Sequence, residues 1–213
     1  MHTHNNRCRG CIPFRDRLSI TVTGDLMYKM KTYTLRVAGV ERELSLFPVG
    51  EGSYIAGFLM MGDVELTICC ARELLKLCPD YDYIVTPETK SIPLAMEMAR
   101  QRGDAAYVVA RKQIKLYMRN TLRAEVKSIT TEEPQSLYLD GKDAEMIKGK
   151  RVLIIDDVIS TGNSLAAVET LVKAAGSVII GRAAVLAEGD AALRSDIIFL
   201  ERLPLFSADE VEE

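Results

Sequence analysis

Histidine is almost missing from this chain of 213 residues, which holds only His2 and His4. No histidine is therefore left in the patterned part of the sequence for a Ser-His-Asp or Cys-His nucleophilic apparatus. Cysteine is sparse as well: five residues, at 8, 11, 69, 70 and 78, an odd number that builds no secreted disulfide framework. Reduced thiols are expected. Cys8-Arg-Gly-Cys11 has the spacing of a metal knuckle with His2 and His4 close by, but no second Cys pair or HxxxH follows, so a zinc site and an unstructured tail are the alternatives there. Cys69, Cys70 and Cys78 fall in or at the end of an apolar helical pattern, where cysteine is a small core residue. No apolar run approaches the roughly 18 residues of a membrane span, and the N-terminus lacks the apolar core of a signal peptide, so a cytoplasmic protein with no membrane contact is expected. GxxxxGK[ST] is absent, which removes the P-loop ATPases, and no GxGxxG follows a strand pattern, which argues against a Rossmann dinucleotide site. A net charge of −3 and a pI near 5.6 argue against a broadly basic nucleic-acid face, and no nucleic-acid partner is expected.

What is present is an ordinary globular composition, 48% hydrophobic, enough for one sizeable core. Residues 1–26 are polar and dotted with arginine, carry no sustained period, and are expected to form a disordered extension; Met27 is a candidate start of translation. Residues 27–62 read as a β-rich segment, with strand patterns at 33–37, 42–47 and 54–59 separated by Ala38-Gly39 and Gly50-Glu51-Gly52. From residue 63 the pattern changes to alternating helix and strand. Asp63 is a plausible N-cap for a helix to Leu77 that presents Leu66, Cys69, Cys70, Leu74 and Leu77 on one face before Pro79 stops it. Strand 83–86, a helix ending at Gly103 and strand 105–110 form one strand, helix, strand unit; strand 152–155, helix 163–175 and strand 177–186 form a second, and strand 197–200 follows. The fold class expected is α/β, a doubly wound parallel sheet over residues 63–206 with an antiparallel N-terminal appendage, and residues 207–213 read as an exposed acidic tail.

The stretch from Arg151 to Leu165, RVLIIDDVISTGNSL, carries the chemistry. Val152, Leu153, Ile154 and Ile155 suit a strand buried on both faces. Asp156 and Asp157 follow, and carboxylates are costly to bury unpaired, so they belong at the carboxyl end of that strand, where open α/β sheets keep their ligand crevices. Val158 and Ile159 continue the apolar run, and Ser160, Thr161, Gly162, Asn163 and Ser164 bring small side chains, hydroxyls and free N–H groups to a helix start, which favours a phosphate. Acceptors beside an anion cradle suit a ligand with vicinal hydroxyls and a phosphate, such as a ribose 5-phosphate. A solvated Asp pair followed by a Ser/Thr helix cap is the alternative from the residues alone.

Four apolar residues, two acidic, two apolar, any residue, then Thr-Gly-any-Thr is the signature of the type I phosphoribosyltransferases, which this segment resembles. Ser164 stands for the last threonine and keeps the hydroxyl. The resemblance implies transfer of ribose 5-phosphate from phosphoribosyl pyrophosphate to a nitrogenous base. Asp156 and Asp157 would anchor the ribose hydroxyls near the developing cation and bind Mg²⁺, directly or through water. It further implies a homodimer, and the entry Ala-Arg-Lys followed by Leu-Tyr at 110–117 is similar to the purine enzymes, those acting on adenine or on xanthine or guanine. A second function class shares the fold: regulators that bind phosphoribosyl pyrophosphate as a signal and do no chemistry.

Three loops lie where the resemblance needs them. Glu88-Thr89-Lys90-Ser91 leads into a helix; from the residues alone it is a helix cap with a solvated lysine or an anion loop, and the resemblance places pyrophosphate on Thr89, Lys90 and Ser91. Arg111-Lys112-Gln113-Ile114-Lys115 opens a basic stretch of roughly twenty-five residues returning through strand patterns at 126–129 and 136–139, a wet hairpin or a lid. The resemblance makes it the loop that closes over the site, with Arg111, Lys112 and Lys115 on the departing pyrophosphate. Residues 188–206 would form the small hood that selects the base, with Glu188 and Asp196 as candidates for hydrogen bonds to the base edge and Leu203-Pro204-Leu205-Phe206 as stacking surface or core.

Overall fold

The computed structural model describes residues 31–50, 52–126 and 135–212. The expectations for residues 1–26, including the Cys8 and Cys11 alternative, lie outside them. β1 (Thr32–Val37) and β2 (Val40–Pro48) are joined by Ala38 and Gly39, whose φ values of 54° and 79° make the two-residue turn that matches strand twist in a hairpin. β3 (Ser53–Ala56) pairs antiparallel with β2. Alternation puts Leu35, Val37, Leu44, Leu46 and Ala56 on one buried face.

α1 (Val64–Leu77) starts at Asp63, whose carboxylate accepts from the Leu66 N–H at 3.1 Å and is held by the forked guanidinium of Arg42 at 2.6 and 3.0 Å. Its buried face is Leu66, Thr67, Cys70, Ala71 and Leu74. Leu77, expected inward, is 55% exposed, because the helix turns its last residue past the sheet. β4 (Tyr83–Pro87) and α2 (Ile92–Arg102) follow, α2 closed by Gly103 at φ 83°. β5 is shorter than expected, Val108–Ala110, since it is an edge strand paired with β4 only from Val85↔Val108 to Pro87↔Ala110. β6 (Leu122–Val126) and β7 (Gln135–Leu139) form an antiparallel hairpin. The first of these starts upstream of the 126–129 strand expected, most of which lies outside the described residues, and inward-facing Ala124, Leu137 and Leu139 anchor the hairpin in the core.

α3 (Gly141–Ile147) was not anticipated; at seven residues it is too short to show a period, and it docks through Ala144 and Ile147. β8 (Arg151–Ile159), α4 (Asn163–Ala174) and β9 (Val178–Glu188) come next, then a 3₁₀ turn at Gly189–Leu193, β10 (Ile198–Leu203), β11 (Leu205–Ser207) and α5 (Ala208–Glu212). The acidic end is thus not a free tail: α5 buries Val211.

The main sheet is parallel, in the order β10-β9-β8-β4-β5. β8 is buried on both faces. Leu153 and Ile155 join the cluster shared with α1, α2 and the N-terminal strands, while Val152 and Ile154 join the cluster formed with α3, α4 and the β6-β7 hairpin. A second sheet has the order β1-β2-β3-β11, because Leu205, Phe206 and Ser207 pair with Ile55, Tyr54 and Ser53. The N-terminal appendage and the end of the C-terminal hood, separate in the sequence reading, share one antiparallel sheet through β11, and Phe206 lies 5.3 Å from Tyr33 ring to ring. The chain leaves β4 toward β5 and leaves β8 toward β9, so the strand order reverses between β4 and β8. That point is where a doubly wound sheet opens its crevice.

Removal of the fully buried Leu153 side chain in Leu153→Ala is expected to lower the unfolding free energy by about 2–5 kcal/mol. Leu77→Ala, on the exposed end of α1, should change it by roughly 0.5 kcal/mol or less. Urea denaturation of both variants checks the burial of β8 and the orientation of α1.

Candidate functional site

β4 pairs with β8 only from Tyr83↔Val152 to Val85↔Ile154, whereas β9 continues alongside β8 to Ile159↔Ala187. Beyond Ile154, β8 therefore has a neighbour on one side and a gap on the other. Asp156 and Asp157 occupy that gap. They lie within the strand as paired to β9, not beyond its end, and are 9% and 6% exposed. The Asp157 N–H donates to Asp156 Oδ1 at 2.9 Å, while Asp157 Oδ2 is buried with no hydrogen-bond partner among the described residues. Burial first, and the Asp157 carboxylate second, push the Asp156 carboxyl well above the ordinary carboxylate range.

Past Ile159, itself buried, Ser160, Thr161 and Gly162 turn the chain into α4. Gly162 caps the helix at φ 77° with no side-chain cap bond, so the first N–H groups of α4 stay available. The turn encloses a cavity of about 110 Å³ lined by Asp156 and residues 158–165. A larger cavity of about 800 Å³ adjoins it, sharing Asp156, Val158 and Ser164. Thr89, Lys90, Lys112 and Asp157 line this larger space together with Gln113, Arg123, Ser136 and Tyr138.

Most of the residues singled out from sequence are thus brought together: Asp156, Asp157, Thr89, Lys90, Lys112 and Ser164 around one cavity, Ile159 to Asn163 around the other. Three line neither. Ser91 is 1% exposed; its Oγ accepts from Thr86 Oγ1 at 2.8 Å and donates to the Pro87 carbonyl at 3.2 Å, bracing the loop from inside. Arg111 exchanges backbone hydrogen bonds with Tyr138 at 2.7 and 2.8 Å, and its Nη1 lies 3.7 Å from Glu88 Oε1. Lys115 sits further along, where its N–H donates to Met118 Sδ at 3.2 Å. In the hood, the half-exposed Asp196 carboxylate accepts from the Arg194 guanidinium at 2.8 and 2.9 Å.

Sequence reasoning missed Glu88, whose Oε2 accepts from the Lys112 N–H at 2.8 Å and whose own N–H donates to the Ala110 carbonyl at 2.8 Å, fastening two loops together. It also missed the hairpin wall of Arg123, Ser136 and Tyr138. The alternation of Leu122, Arg123, Ala124 and Glu125 was the available signal.

A carboxyl whose folded-state pKa lies above its unfolded value supports the fold below the unfolded pKa, and that support is lost as pH rises through the folded pKa. Burial of the Asp156 carboxyl therefore costs stability at neutral pH. Asp156→Asn is expected to raise the melting temperature at pH 7–8 by at least about 2–4 °C, the equivalent of ~1 kcal/mol in a domain of this size. The gain should shrink to nothing as pH falls below about 3, where the carboxyl is protonated in both states. Thermal unfolding followed across that range checks the sign.

Comparison with known proteins places this geometry. A family model for the phosphoribosyl transferase domain matches residues 71–205. The hypoxanthine/guanine phosphoribosyltransferase of Methanococcus voltae is 31% identical over 145 residues, 68% of this chain and 71% of that protein. That of Methanocella paludicola is 32% identical over 170 residues, 77% of this chain and 81% of the relative. Among solved structures, adenine phosphoribosyltransferase from Thermoanaerobacter pseudethanolicus superimposes with a TM-score of 0.61 at 23% identity, covering 75% of this chain and 95% of that one, a likeness of fold. The family model spans well over half of the chain, and the chain belongs to the type I phosphoribosyltransferase family.

Proposed function

We propose that this enzyme transfers ribose 5-phosphate from phosphoribosyl pyrophosphate to a purine base in purine salvage, giving a nucleoside 5'-monophosphate and pyrophosphate. The observation that carries the reading is the buried Asp156–Asp157 pair, set between a turn with free helix N–H groups and a cavity lined by Lys90, Lys112 and Arg123. The bond from the anomeric carbon to the pyrophosphate oxygen breaks, the base nitrogen bonds to that carbon, and the base releases a proton. Positive charge grows on the ring and negative charge on the leaving group, so positioning and electrostatics do the work.

In this reading Asp156 and Asp157 accept from the ribose hydroxyls and face the cationic ring. The turn from Ser160 to Ser164, seated on buried Ile159, holds the 5'-phosphate through hydroxyls and N–H groups. Lys112 and Lys90 neutralise the leaving diphosphate, Thr89 hydrogen-bonds it, and Ser91 shapes the loop that presents them. Arg111 and Lys115 act on the same diphosphate, Arg111 by exchanging Glu88 for phosphate. Mg²⁺ fits the donor set. Asp157 Oδ2 has no partner among the described residues, and no group of three or more metal-ligating side chains is found among them, which suits a hard cation held by one or two carboxylates plus substrate phosphates. Bound there, the ion supplies further neutralisation of the diphosphate.

The names of the relatives at 31–32% identity support hypoxanthine or guanine as the base, with adenine and xanthine the other members of the panel. A homodimer in the cytoplasm belongs to the same proposal; no helix among the described residues is long and apolar enough to cross a membrane. Sedimentation tests the dimer.

Incubated with Mg²⁺, phosphoribosyl pyrophosphate and each of hypoxanthine, guanine, xanthine, adenine and uracil, the protein is expected to release pyrophosphate and form nucleotide with a purine. Asp156→Asn combined with Asp157→Asn should lower turnover by roughly 10²–10³-fold while leaving the fold intact. Silence on every base, alongside tight binding of phosphoribosyl pyrophosphate, would make the protein a sensor of the same fold.

A further inference from the structure

The turn proposed to hold the 5'-phosphate has a charge problem. A phosphate monoester carries about −1.5 to −2 at neutral pH. Among the described residues, those lining the small cavity include no lysine or arginine, and they do include the Asp156 carboxylate. The start of α4 contributes only about half a positive charge. Hydroxyls and N–H groups satisfy hydrogen bonds but leave most of the charge unbalanced.

One guanidinium, outside the cavity lining, comes up against the turn at Gly162. A Cβ built on Gly162 would lie 2.8 Å from Arg194 Nη1. The Arg194 side chain is 34% exposed and reaches this position from the turn that follows β9. Asp196 grips its other edge, with Oδ1 accepting from Nε at 2.9 Å and Oδ2 from Nη2 at 2.8 Å. The fork leaves Nη1 outside the ion pair and turned toward the loop. The pair is therefore an oriented dipole, its positive end against the phosphate turn and its carboxylate behind. Glycine at 162 is needed for its φ of 77°, and a Cβ there would also push on the end of the Arg194 side chain.

We propose that Arg194, aimed by Asp196 and acting through Gly162, is a positioning residue that supplies the missing cation to the 5'-phosphate turn. The inference rests on the reading of that turn as a phosphate site. It assigns the segment after β9 a part in holding phosphate, whereas the sequence suggested base selection.

Calorimetric titration of ribose 5-phosphate and, separately, of pyrophosphate into the wild type, Arg194→Ala, Arg194→Lys and Asp196→Ala tests it. A unit charge roughly 8 Å from the phosphate implies that Arg194→Ala weakens ribose 5-phosphate about tenfold. Arg194→Lys should recover part of that loss, and pyrophosphate, held by the other loops, should bind all four proteins equally. Asp196→Ala separates positioning from charge. Loss of a carboxylate near a dianion would tighten binding if charge alone mattered; the expected result is weaker binding, because the guanidinium is no longer aimed. Unchanged ribose 5-phosphate affinity in Arg194→Ala, tighter binding in Asp196→Ala, or equal losses for both ligands would overturn the inference while leaving the phosphate turn in place. A wild type that binds pyrophosphate but not ribose 5-phosphate would remove the phosphate turn and the inference together.

Discussion

Two neighbouring carboxylates held out of water inside a strand are the constraint on which this molecule is arranged. A buried acceptor without a partner costs on the order of 1–3 kcal/mol, and a like charge beside it adds to that. Asp156 and Asp157 remain buried because β8 cannot shift. Val152 and Ile154 are fixed in one hydrophobic cluster, Leu153 and Ile155 in the other, and β9 is hydrogen-bonded alongside as far as Ile159. Slipping β8 by one residue to relieve the acids would exchange the two clusters across the sheet. The early end of β4 pairing leaves one side of the pair without a strand beside it.

The loops around that gap are prepared in different ways. Residues 87–91 are braced by the Thr86–Ser91–Pro87 hydrogen bonds below and fastened by Glu88 to Ala110 and Lys112 above. Polar atoms that might have served as ligand contacts, the Ser91 hydroxyl and the Glu88 carboxylate, are used instead to fix the backbone of their neighbours. The gain is preorganisation: Lys90 and Lys112 face the cavity from segments whose ordering does not wait for the ligand. The turn at 160–164 is prepared more sparingly, by a glycine cap and a helix start, with the Arg194 guanidinium against Gly162.

Legibility in the sequence followed the range of the interactions. The β8 motif could be read because strand, acidic pair and turn are consecutive residues, and the two strand, helix, strand units because each has a local period and a glycine or proline stop. α3 escaped because seven residues complete too few turns to establish a period. Leu77 was misplaced because an ideal helical period says nothing of where the sheet beneath ends. The joint sheet of β1, β2, β3 and β11 depends on Leu205–Ser207 meeting Ser53–Ile55, a pairing across most of the chain that no window of sequence contains. Within the site, residue types were readable and side-chain commitments were not. Ser91, Arg111 and Asp196 each carry suitable chemistry, but partners distant in sequence or on the other side of a turn claim it first.

The joint sheet also separates what must stay fixed from what can change. On β2 and β3, Leu44, Leu46 and Ala56 point into the core that supports β8. The alternate positions Phe47, Ile55 and Leu205 are direct cross-strand neighbours in one row, with Phe47 44% and Leu205 54% exposed. Leu205 comes close to Gly189, just past the end of β9. Substitutions in that row alter a surface beside the carboxyl edge of the main sheet without opening a cavity under β8. Inward substitutions at Leu44 or Leu46 reach the acidic pair through the cluster they share with Leu153 and Ile155. One face of this sheet therefore packs into the core beneath β8, while the other presents an apolar row beside the carboxyl edge of the main sheet.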